Sequence, residues 1–112
     1  MKKREDEILV GVLEPGGAIE FFNVDNTLEA FQDLVGGYIE TVRIMADYIT
    51  ICNEDGRRLG LAENIGGLVG PLVFCKTRGE EFRSLSQREV VLLRAALEPI
   101  TKGGRHNGQK NT

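Results

Sequence analysis

Residues 25–61 read DNTLEAFQDLVGGYIETVRIMADYITICNEDGRRLGL. This stretch decides the fold, because it holds a capped helix, a glycine break and then two or three antiparallel strands. With Asn26 as N-cap, Glu29 falls at the third helical position, the spacing of a capping box, and near the positive end of the helix dipole. Leu28, Phe31, Leu34 and Val35 recur on one helical face. Gly36 follows, where a left-handed residue ends a helix at least cost. The predicted helix over 26–36 is short, so burial of that face must hold it. Residues 38–44 and 48–52 are β-rich runs around Met45-Ala46-Asp47 and read as a hairpin. Asn53-Glu54-Asp55-Gly56 turns the chain again, and 57–61 is expected to return as a third, short strand.

Working outward, ILVGVL at 8–13 and AIEFFN at 18–23 flank Glu14-Pro15-Gly16-Gly17, a strong turn signal, so the chain opens with another hairpin. Gly11 inside the first run predicts a bulge or a close packing contact. Residues 63–70 hold three glycines and read as an irregular loop, followed by a strand at 71–75 with Pro71 at its tolerated first position. Residues 76–83 read as a polar loop. Ser86-Gln87-Arg88-Glu89 is a second capping box. It opens a helix with Val90, Val91, Leu93 and Leu97 apolar and Arg88 and Arg94 outside, ended by Pro99. The fold class is therefore α+β: a mostly antiparallel sheet of about five strands, one helix packed on it (26–36) and a C-terminal helix (86–98). Residues 1–100 form a single domain and 101–112 a disordered basic tail. An apolar outer side on the last helix would favour a homodimer.

The chain has 112 residues, 41% hydrophobic and 28% charged, with no Trp. That is one globular domain with a core of Val, Ile, Leu and a few Phe. The net charge is −3, and the three cations after Ile100 (Lys102, Arg105, Lys110) are balanced by no acid there, which leaves −6 on residues 1–100. An acidic body argues against nucleic acid as partner and suits a basic protein surface. No apolar run approaches the roughly 20 residues of a membrane span. MKKREDE at the start lacks the apolar segment of a signal peptide. A cytoplasmic location is expected, where Cys52 and Cys75, each inside an apolar run, act as small hydrophobes.

The search for chemistry returns little. The single histidine, His106, lies in the tail, so Ser-His and Cys-His nucleophile systems have no base in the body. A structural zinc site needs about four ligands at set spacing, and none is present. The acidic turn at 53–56 is followed at once by Arg57 and Arg58, which opposes calcium. Gly66-Gly67 and Gly70 precede a strand, not a helix, the reverse of a phosphate loop. No catalytic residue, metal or cofactor is expected. For an anion, Arg57 and Arg58 are the candidates, joined by Arg43 if the hairpin pairs as read, with Tyr38 to stack a base. For a protein partner, Glu54 and Asp55 on the turn and Arg88 and Arg94 outside the last helix are the candidates.

EPG, then DNTLEAFQDLVGGYIE, then ITICNEDGRRLGL, then a glycine-rich loop and an apolar strand together resemble a small domain of unknown function carried by phages, plasmids and other mobile elements of gut Firmicutes. The resemblance spans residues 8–82, with VGGYIE and ICNEDG its most specific pieces. Members typically have a longer polar segment after LGL and often end soon after the last strand. This chain therefore adds the helix at 86–100 and a tail. The family has no established catalytic residues to carry over. The resemblance implies an accessory protein of a mobile element, an inhibitor of a host defence system that binds a host or phage protein. The other expectation is a protein that sequesters a nucleotide-like small molecule through Arg57, Arg58 and Tyr38.

Overall fold

The computed structural model describes residues 7–110, with side chains to residue 100. The elements are β1 (Glu7–Leu13), β2 (Glu20–Asp25), α1 (Leu28–Val35), β3 (Ile39–Met45), β4 (Tyr48–Asn53), α2 (Gly56–Leu59), β5 (Leu72–Arg78), β6 (Glu81–Arg83) and α3 (Gln87–Lys110). The six strands form one antiparallel sheet in the order β2-β1-β5-β4-β3, and β6 pairs with the far end of β5. The two expected hairpins are present, and β2 and β3 are the sheet edges.

Period-two alternation explains the layering. Ile8, Val10 and Val12 of β1, Ile49 and Ile51 of β4, and Val73 and Cys75 of β5 share one face with Phe31 and Val35 of α1. Leu13, Cys52, Leu72 and Phe74 share the other with Leu97 of α3. β5 is central and covered on both sides, so it reads as an unbroken apolar run. Cys52 and Cys75, on opposite faces of neighbouring strands, are both free thiols. Gly11 marks a close contact. It pairs with Phe21, and a Cβ there would stand 2.8 Å from the Phe21 ring and 2.9 Å from Ile19.

Four local expectations are corrected. The N-cap of α1 is Thr27, whose hydroxyl accepts from the Ala30 N–H at 3.2 Å. Asn26 is drawn away because its amide donates to the Phe82 carbonyl, 3.1 Å off and 56 residues distant. Glu29 then falls one position short of a capping box. Gly36 does end the helix in the left-handed region, φ 80°. Residues 57–61 form no strand. The chain coils into α2, closed by left-handed Gly60, because Gly56 is pressed against Val69, where a Cβ would meet Val69 Cγ2 at 2.6 Å. The expected polar loop at 76–83 is the rest of β5, a turn and β6. Left-handed Gly79 makes the turn, and Phe82 packs edge-on against Phe31, ring centroids 5.1 Å apart. Pro99 does not end the last helix and lies inside α3. Proline withholds one backbone donor there, and at this exposed stretch water can serve the Ala95 carbonyl instead.

The loop between α2 and β5 holds a short 3-10 turn (Ile65–Gly67), and Asn64 ties it to the body. Its amide donates to the carbonyls of Leu13 at 2.9 Å and Gly70 at 2.8 Å. The basic side chains of the tail, and residues 111 and 112 altogether, lie outside the described residues.

Candidate functional site

The open part of the molecule lies on the α3 face. α3 packs on this face with Val90 and Leu97 buried and Leu93 partly so. On its β3 side a groove of about 330 Å³ remains. Ile44, Met45, Tyr48 and Phe74 from the sheet line it, with Leu85 at its end and Leu92, Leu93 and Ala96 from α3. Three of these apolar side chains stand in solvent: Met45 is 61% exposed, Leu92 57% and Ile44 49%. Ile44 and Met45 lie at the β3–β4 hairpin tip. The register of the β3–β4 pair shifts between Arg43 and Met45, so the hairpin tip breaks regular pairing there.

One polar cluster sits at the foot of this groove. Ser86 and Glu89 complete the second capping box as expected: the Ser86 N–H donates to Glu89 Oε1 at 2.7 Å and the Glu89 N–H to Ser86 Oγ at 3.1 Å. The other carboxylate oxygen accepts a short hydrogen bond from the Tyr48 hydroxyl and pairs with Lys76 Nζ at 3.3 Å. Burial alone would raise the Glu89 carboxyl. The bonds from Tyr48, Ser86 and Lys76 outweigh it and hold the group down at about 2. The Glu89 hydrogen bond, with burial and the charges of Glu89 and Asp47 behind it, pushes the Tyr48 hydroxyl up. Burial pushes the Cys75 thiol up to about 12, and burial with Glu40 nearby raises that of Cys52. At neutral pH Glu89 is therefore a fixed anion, and Tyr48 and both thiols keep their protons. None of the four titrates near 7, where a general acid or base works best. Among the described residues no group of three or more His, Cys, Asp or Glu could hold a metal ion.

The candidates named from sequence are scattered. Arg43 lies near the hairpin tip and donates to the Ala46 carbonyl at 2.6 Å. Arg57 and Arg58 lie on α2, beyond the opposite end of β4; Arg57 donates to the Gly67 carbonyl and Arg58 pairs with Asp55 at 3.3 Å. The hairpin does pair as read. Its register sets Arg43 opposite Ile49, four residues from Asn53, where the chain turns toward Arg57, so the three guanidinium groups do not converge. Tyr38 shares a shallow cleft with Gly37, Asp55 and Leu59, and neither arginine of α2 lines it, Arg58 being paired with Asp55 at its edge. Glu54 is exposed, and its N–H donates to the Tyr38 carbonyl at 2.8 Å. Arg88 is exposed on α3, and Arg94 lies 5.0 Å over the Phe21 ring on the side away from the groove. Sequence reasoning passed over Ile44, Met45, Lys76 and Leu92. The available signal was the apolar pair Ile44-Met45 placed at a turn.

Residues 8–98 match the family model of a domain of unknown function (DUF3846), and the chain belongs to that family; the match runs past residue 82 and takes in α3 as far as Glu98, so that helix is part of the family domain and not an addition to it. Among curated proteins and among solved structures nothing matches it.

Proposed function

We propose that this DUF3846 member is a non-enzymatic protein-binding module whose working surface is the groove between α3 and the β3–β4 tip. The observation that carries the reading is the apolar rim of that groove, where Met45 and Leu92 remain more than half exposed and Ile44 nearly half. A contiguous apolar patch of this kind on a small domain marks an interaction site. The chemistry around it supports binding over catalysis, since Glu89 stays charged and Tyr48 and Cys75 stay protonated at neutral pH. Asp47 stands beside Tyr48, which lines the groove, and Glu40 lies further along β3 near Cys52. With −6 on residues 1–100, once the three cations of the tail are set aside from the net −3, they favour a partner whose apolar contact is edged by Lys or Arg. The finer reading is an accessory protein of a phage or plasmid that blocks a host defence complex in the cytoplasm.

The test is interference in a host cell. Expression of the chain should lower restriction or CRISPR interference, and Met45→Asp, which charges the rim of the groove, should abolish the effect while leaving the melting temperature within a few degrees. Unchanged interference with the parent chain removes the anti-defence reading. An effect that survives Met45→Asp removes the groove.

A further inference from the structure

β3 is an edge of the sheet, paired on one side with β4 and on the other with nothing among the described residues. Its register says which backbone groups are left over. The Glu54 N–H donates to the Tyr38 carbonyl, so these two form a hydrogen-bonded pair. The alternation of an antiparallel ladder then turns the backbone groups of Glu40 and Val42 toward β4. Ile39, Thr41 and Arg43, the residues between, each point an N–H and a C=O outward, at a repeat of roughly 6.8 Å. The side chains sort by the same alternation. Val42 packs on the α3 face and Ile39 on the α1 face, so Glu40 and Ile44 stand with Val42 on the α3 face, where Ile44 lines the groove. The free edge and the groove lie side by side.

We infer that the partner protein enters as an extended segment that adds a strand antiparallel to β3, its backbone bonded to Ile39, Thr41 and Arg43 and its alternate side chains laid on the α3 face. The inference rests on the groove reading and says how the partner is held. A strand is the occupant because another extended backbone offers donors and acceptors at the repeat that the edge presents. The side chains of β3 set its chemistry. Glu40 is exposed and makes no ion pair among the described residues, so a Lys or Arg belongs opposite it. An apolar residue belongs opposite Val42, and another two residues earlier in the segment, beside Ile44 and Met45 at the groove. The segment therefore reads apolar-x-apolar-x-basic. A second copy of β3 does not supply this order. Across a two-fold axis even-numbered residues meet even-numbered ones, so Arg43 never comes opposite Glu40. In the registers centred on this stretch, that carboxylate would meet Val42, Ile44 or another Glu40.

A phage-displayed library of random linear peptides, panned on the full chain, tests it. The recovered peptides are expected to share apolar-x-apolar-x-Lys/Arg. Methylating the backbone nitrogen of the residue between the two apolar ones, which faces Arg43, should weaken binding about tenfold. Thr41→Pro removes an outward N–H and puts a ring on the free edge while taking no bond from β4, and proline is tolerated on an edge strand. It should abolish peptide binding with the melting temperature within a few degrees of the parent, and Thr41→Val should bind as the parent does. If Thr41→Pro disturbs folding, Glu40→Lys reads the same register: the basic position of the recovered peptides should change to Asp or Glu. A library that yields no binder, binders without the alternation, or binding that survives Thr41→Pro or the backbone methylation overturns the proposal. In the host-interference assay, an effect lost in Met45→Asp and kept in Thr41→Pro rejects the strand and leaves the groove standing. An effect kept in Met45→Asp rejects the groove reading itself.

Discussion

Eight residues of α1 close one face of the sheet, whereas the 24 of α3 leave the other partly open. The difference lies in how each helix is tied. α1 is held at both ends. Thr27 caps its start, the Asn53 amide donates to the Val35 carbonyl at 3.0 Å at its finish, and Asn26 reaches across to Phe82. Phe31 and Val35 then sink fully into the sheet. α3 is tied at its first turn by the Ser86–Glu89 box with Tyr48 and Lys76, and further along Arg94 lies over Phe21, yet a groove stays open between the helix and the β3–β4 tip. A helix whose apolar face sinks fully into the sheet closes the core; one that leaves a groove beside it keeps apolar surface for another molecule. Stability is expected to concentrate on the first face and binding on the second.

Four substitutions can break or sharpen this contrast, each followed by urea unfolding. Phe31→Ala should cost the most, about 3–5 kcal/mol, since Phe31 is 1% exposed and its removal leaves a cavity beside Phe82. A loss under about 1 kcal/mol would mean that the α1 face is not the closed one. Asn53→Ala should come next at about 2 kcal/mol, because it leaves the Val35 carbonyl and the Asp55 N–H without their buried partner. Glu89→Gln should cost about 1 kcal/mol at neutral pH, and its pH dependence is the sharper readout. The Glu89 carboxyl sits at about 2 in the folded chain against an ordinary 4.5, so its stabilisation is complete above 4.5 and fades as the pH falls from there toward 2. Parent and Glu89→Gln curves should therefore converge on acidification, and parallel curves across that window would contradict the assigned hydrogen bonds. Leu92→Ala should change stability by no more than about 0.5 kcal/mol, as expected of an exposed side chain. A large loss there would show the α3 face to be as closed as the other.

The elements that were legible from sequence are those set by contacts within a few residues. The opening hairpin around Pro15-Gly16-Gly17, the helix with Phe31 and Val35 inward and left-handed Gly36 behind it, and the Ser86–Glu89 box were all readable, because each depends on local dihedral preference or on one apolar period. The misread pieces answer to distant partners. Asn26 and Thr27 are both good caps, and the choice fell to Thr27 because Phe82 offered Asn26 another acceptor. Gly56-Arg57-Arg58-Leu59 fits a strand or a turn of helix equally well until Val69 closes against Gly56. Residues 76–83 carry one apolar side chain, Phe82, too weak a period to announce a strand without β5 alongside. The groove was less legible still, since its walls come from residues 44–49, 74–75, 85 and 89–96, and no single segment carries it.

The sequence by itself determined an antiparallel α+β domain with two capped helices, because strand alternation, helical period and capping geometry are properties of short segments. Tertiary structure alone decided that α3 stops short of covering its face, that Tyr48 and Lys76 meet on Glu89, and that Ile44, Met45 and Leu92 are left together in water. Those outcomes depend on where the helix lands on a twisted sheet, and that placement is set by the summed packing of side chains far apart in the chain.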